Sequence, residues 1–125
     1  MPVFGTIPAG PPRESFQEPI GCVQIDVETL GVRPTAQTFA LLVRGDSMVG
    51  RHILDGDIVV IEAGLRARSG DVVAALVDGE STLKTLVTSE GRAFLRAENP
   101  AYSDMLAADE LMIQGVMVAL IRRSN

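Results

Sequence analysis

Three short stretches of this 125-residue chain hold side chains able to do chemistry together: Ile7-Pro8-Ala9-Gly10, Arg44-Gly45-Asp46-Ser47-Met48 and Thr82-Leu83-Lys84. Ser47 stands where the apolar run Phe39-Ala40-Leu41-Leu42-Val43 gives way to a glycine-containing bend. A serine so placed has an exposed hydroxyl and an unpaired backbone N–H, both suited to a nucleophile. An ordinary strand-ending turn has the same look, and a lone serine does not choose between the two. Lys84 stands inside an apolar strand, where a lysine has two common uses. On an edge it blocks aggregation; desolvated, it loses its charge and becomes a base at neutral to alkaline pH. A neutral Lys84 within hydrogen-bond reach of Ser47 would take the hydroxyl proton as the oxygen attacks a carbonyl, then return it to the departing amine. Thr82, two residues back on the same strand face, is placed to orient that amine. The N–H groups of Ser47 and its neighbour Asp46 are the natural oxyanion donors.

The rival base is His52, the only histidine. It lies in the polar loop Gly50-Arg51-His52 and reads as a surface residue rather than as the imidazole of a triad. Asp46, Asp55 and Asp57 cluster near Ser47, but aspartates are recruited by turns for local backbone hydrogen bonding, and turn chemistry is the plainer account. One histidine, one cysteine and scattered carboxylates give no metal-ligand spacing, and no cofactor is implied.

Composition narrows the class. The length suits one domain, and 46% hydrophobic residues exclude a disordered chain. A net charge of −5 argues against direct binding of a polyanion by this segment. The adjacent Arg122-Arg123 reads as a solvated end. The single Cys22 excludes an intrachain disulfide and permits a cytoplasmic setting. No run of about 18 apolar residues and no export signal is visible, so no membrane association is expected.

The supporting elements follow from pattern. Residues 1–21 hold five of the seven prolines and should be extended and flexible, unable to sustain a helix or a central strand. They read as a linker or as a peptide substrate carried on the same chain, Val3, Phe4 and Ile7 filling apolar pockets and Ala9-Gly10 leaving a carbonyl open to attack. The domain proper then runs 22–125. Alternation predicts strands at 23–27, 38–43, 58–61, 72–77, 81–87, 93–97 and 111–122, the last bulged at Gly115. Residues 30–34 read as a connection or a single helical turn, and Asp78-Gly79 marks a tight hairpin. The result is a mostly-β compact domain of about seven to nine short strands.

Taken together, these stretches resemble the C-terminal domain of LexA-type SOS repressors, their UmuD-like relatives and the phage repressors. The match runs through Gly5-Thr6-Ile7-Pro8-Ala9-Gly10, Val43-Arg44-Gly45-Asp46-Ser47-Met48, Leu54-Asp55-Gly56-Asp57, Gly70-Asp71-Val72-Val73, Thr82-Leu83-Lys84 and Glu98-Asn99-Pro100, and ends in Ile113-Gln114-Gly115-Val116-Met117-Val118. The resemblance implies a LexA/signal-peptidase-like β fold and a Ser–Lys dyad, with Ser47 as nucleophile and Lys84 as base. It implies cleavage of the chain's own Ala9-Gly10 bond, with Ile7 and Pro8 anchoring the substrate loop. It also implies a homodimer, stimulation by RecA–ssDNA filaments, and DNA contact only through an N-terminal helix-turn-helix domain that this chain lacks. Pro8 before the scissile Ala9 departs from the pattern and should slow or re-aim cleavage. Asp46-Ser47 and Asp78-Gly79-Glu80 lean toward the UmuD-like branch, an accessory to translesion polymerases, whereas Ala9-Gly10 leans toward the repressors. A catalytically silent dimerisation module, with the long last strand pairing edge to edge, is the alternative from another class. A signal peptidase would need a membrane anchor.

Overall fold

In a computed structural model the protein is described at residues 2–4, 21–22, 31, 37–77, 79–106 and 113–124. The expected strand at 23–27, most of the connection at 30–34, the segment Ile7-Pro8-Ala9-Gly10 and Asp78 lie outside the described residues. The described chain is mostly β, as its alternating pattern requires. Its strands are β1 (Pro2–Phe4), β2 (Gly21–Cys22), β3 (Gln37–Leu42), β4 (Ile58–Ala63), β5 (Val72–Val77), β6 (Glu80–Ser89), β7 (Arg92–Arg96), β8 (Met105–Leu106) and β9 (Ile113–Ile121). They form one sheet in the order β2-β1-β3-β4-β9-β5-β6-β7-β8.

The β5–β6 hairpin pairs Val77 with Glu80 across a two-residue loop, and Gly79 there has φ 82°. That is the left-handed backbone a tight hairpin turn demands and glycine supplies without steric cost. Along β5 alternate side chains serve two cores: Val72 and Ala74 join Leu41, Met48, Ile53, Val59, Ile61 and Leu83, while Val73 and Ala75 join Leu86, Leu95 and Val116. This is the period-2 alternation of a strand buried on both faces.

Three expectations change. Pro2–Phe4 is not a free extended tail: Val3 is buried, pairs parallel to Ala40 of β3 and antiparallel to Gly21 of β2. A proline is tolerated there because it is the first residue of the strand. The last strand is not an edge along its length, since β9 pairs β5 through Ile113, Gly115 and Val116, and β4 from Val116 to Ile121. Among the described residues each half keeps one side open, since Ile113–Gly115 pair only β5 and the residues past Val116 pair only β4. Finally, Gly115 is not the extra residue of a bulge. It is in register with Ala74, and the shift falls between its pairs at Gly115 and Ile113. The glycine serves close approach instead: a Cβ there would lie 2.5 Å from Ile61 Cγ2 and 2.7 Å from the Glu62 carbonyl oxygen.

Candidate active site

β3 runs out at Leu42, and the chain bends through Gly45, φ 86°, to present Ser47. The bend is held from inside the same loop. Gly45 N donates to Asp55 Oδ1 at 2.8 Å, Val43 N to the Asp57 carbonyl at 2.8 Å, and Gly56 N to the Val43 carbonyl at 2.9 Å. Met48, 2% exposed, plugs the core directly behind Ser47. A 3-10 turn follows at Val49–Arg51. Ser47 itself remains half-buried, and the N–H groups of Asp46 and Ser47 meet no acceptor among the described residues.

β6 brings Lys84 to this bend. Its side chain is 5% exposed, and its ammonium donates to three acceptors: Ser47 Oγ at 3.3 Å, Thr82 Oγ1 at 3.0 Å and the Leu83 carbonyl at 3.1 Å. Desolvation lowers its pKa below the ordinary 10.5, because burial penalises the charged form. The geometry tells what the neutral amine would do. With two protons left for Thr82 and Leu83, its lone pair takes the third direction, toward the Ser47 hydroxyl. A cleft of about 220 Å³ opens at this point, lined by Leu41, Val43, Gly45, Ser47, Met48, Thr82 and Leu83 among others.

The structure thus brings together Ser47, Lys84, Thr82 and the backbone of Asp46. Ile7, Pro8, Ala9 and Gly10 lie outside the described residues. His52 is exposed, in left-handed conformation at the end of the 3-10 turn, and its carbonyl accepts from Arg122 Nη2 at 2.7 Å. It closes a turn. Among the described residues no group of three His, Cys, Asp or Glu side chains gathers as a metal site would need, and no helix is long and apolar enough to cross a membrane.

Two features escaped sequence reasoning. Arg122, solvent-exposed as expected, also grips the buried Asp57 through Nε at 2.8 Å and Nη2 at 2.7 Å, holding that carboxyl below its ordinary pKa of 3.8. Asp57 also accepts from Leu54 N at 2.8 Å, the turn chemistry expected of it. Across the loop from Ser47, Asn99 and Tyr102 seize Asp46 by its carbonyl and carboxylate. An aspartate beside a turn gives no sign of a partner more than fifty residues away in sequence.

The chain is similar in sequence to known proteins. A family model described as Peptidase S24-like matches residues 2–118. Over its whole length the chain is 50% identical to the LexA repressor of Verrucomicrobium spinosum and 44% identical to that of Opitutus terrae, spanning 61% and 62% of those proteins. It is 39% identical, over 98% of its length, to LexA repressor 1 of Nocardia farcinica, of which it spans 55%. The chain therefore spans about three-fifths of the length of the curated relatives it matches.

Proposed function

The chain belongs to the Peptidase S24-like family, and from that premise we propose that it is the self-cleaving C-terminal part of a LexA-like SOS repressor. The observation that carries this reading is the contact between Lys84 Nζ and Ser47 Oγ at 3.3 Å inside a desolvated pocket. Neutral Lys84 accepts the Ser47 proton as Oγ bonds to the carbonyl carbon of Ala9. The carbonyl oxygen becomes an oxyanion beside the N–H groups of Asp46 and Ser47. The C–N bond to Gly10 then breaks, the proton passes from Lys84 to the departing amine, and water releases the acyl group by the same route in reverse. Thr82 and the Leu83 carbonyl hold the amine so that its lone pair points at Ser47.

The cleft suits a peptide. β7 begins its pairing with β6 only at Thr85, so the backbone of residues 81–84 has no strand on that side among the described residues. An extended segment bearing Ile7, Pro8, Ala9 and Gly10 would lie along it, reading main-chain hydrogen bonds. In this reading residues 1–21 are the cleavage segment and 22–125 the protease and dimerisation domain. RecA–ssDNA filaments favour the docked segment, and DNA is bound through a separate N-terminal domain. The homodimer forms in the cytoplasm. The open C-terminal half of β9, rather than the whole strand, is the edge available to a second copy.

The test is intact mass of the purified chain during incubation from neutral to alkaline pH. The wild type loses residues 1–9, faster as pH rises until Lys84 is fully neutral, whereas Ser47→Ala and Lys84→Ala stay intact. An intact wild type at every pH, with RecA filaments present, would sink self-cleavage.

A further inference from the structure

Asp46 is held twice by one neighbouring turn. Asn99 Nδ2 donates to its carbonyl at 2.9 Å, and the Tyr102 hydroxyl donates to its Oδ1 at 2.6 Å. The turn is itself braced. Asn99 Oδ1 accepts from Ala101 N and the Asn99 carbonyl from Tyr102 N, both at 3.0 Å. The Glu98 carbonyl accepts from Gly50 N at 2.7 Å, so close that a Cβ on Gly50 would lie 2.6 Å from that oxygen.

An aspartate entering a turn ordinarily accepts from the backbone N–H two or so residues ahead of it. From Asp46 that reach covers Met48 and Val49, and such a cap would draw the carboxylate across the donors beside Ser47. It does not happen: Val49 N donates to the Asp46 carbonyl at 3.3 Å, and Tyr102 holds the carboxylate instead. We propose that Asn99 and Tyr102 are positioning residues for the oxyanion site, fixing Asp46 so that the N–H groups of Asp46 and Ser47 stay unclaimed and its negative charge stays away from the forming oxyanion. The inference rests on the Ser47–Lys84 reading above and adds the residues that keep its donors free. The carboxylate in turn raises the Tyr102 pKa above the ordinary 10.0, so the phenol stays a donor through an alkaline assay.

Two readouts separate this role from that reading. One is self-cleavage. The other is labelling of Ser47 by a fluorophosphonate, in which an Oγ–P bond forms, the P–F bond breaks, fluoride leaves and Lys84 takes the hydroxyl proton. Both are followed by intact mass across pH. The wild type labels and Ser47→Ala does not. Tyr102→Phe should slow both reactions about 10- to 100-fold, short of or equal to loss of one oxyanion donor, with the pH midpoint unmoved or raised, since a carboxylate released toward the site favours charged Lys84. Adding Asp46→Ala to Tyr102→Phe should recover most of the rate, since no carboxylate then remains to cap the donors. A wild-type rate in Tyr102→Phe, a lowered midpoint, or a double variant as slow as the single one would each overturn the proposal. A wild type that labels yet keeps residues 1–9 refutes self-cleavage alone, and the variant labelling rates still decide this proposal. A wild type that does neither overturns both.

Discussion

At the scale of single residues, the chemistry turns on the cost of burying one charge. Lys84 is among the few buried polar side chains described, and the three groups around it accept hydrogen bonds without supplying a countercharge. Its pKa is therefore lower in the folded chain than in the unfolded one, and the sign of the consequence is fixed. Between the lowered value and 10.5 the unfolded chain binds more protons than the folded chain, so stability rises with pH across that window. Urea unfolding of the wild type and of Lys84→Met should show it. Whatever their difference at pH 7, it should move in the wild type's favour as pH climbs toward 10.5, and a pH-independent difference would mean that Lys84 is not desolvated. Below the lowered pKa, each unit of falling pH also cuts the neutral fraction, and with it the cleavage rate, about tenfold.

At the scale of elements, the site depends on how closely β9 lies to its neighbours. β9 is in contact with β4 and β5, and β5 carries β6 and Lys84. Gly115 permits that approach, its absent Cβ being replaced by Ile61 Cγ2 and the Glu62 carbonyl. Gly115→Ala should lower stability by about 1–3 kcal/mol through overpacking, read as a drop in thermal midpoint. An unchanged midpoint would show that the strands can part at no cost. Sequence pattern placed β5 at the residues found and the β5–β6 turn at Gly79. It misread what Gly115 is for, because a glycine inside a strand signals either a bulge or a close approach and only the neighbour decides.

At the scale of the whole molecule, Asp57 and Arg122 tie the chain's end to the loop that follows the nucleophile bend. Arg122 reaches Asp57 and the His52 carbonyl from just past β9. The Arg122 side chain is nearly half exposed, so the ion pair itself is weak, and Asp57→Asn should cost about 1 kcal/mol at neutral pH through its weakened hydrogen bonds. The acid side gives the sharper test. A carboxyl with a lowered pKa contributes stability that is present above 3.8 and lost as pH falls through its folded-state value. The gap between wild type and Asp57→Asn should therefore close in acid. A gap that persists there would assign the effect to packing alone.

Local composition decided much of this protein. Alternating apolar residues made the strands, Asp78-Gly79 made the hairpin, and Ser47 after a glycine bend and Lys84 in an apolar strand marked the chemistry. These are short-range properties, legible because strand period and turn geometry repeat every few residues. Tertiary structure decided what depends on partners distant in sequence. It brought Lys84 to Ser47 across 37 positions, shared β9 between β4 and β5, gave Arg122 a buried carboxylate, and set Asn99 and Tyr102 on Asp46. No local pattern encodes such pairings, since a side chain's chemistry fixes what it can bind but only the fold brings that partner within reach.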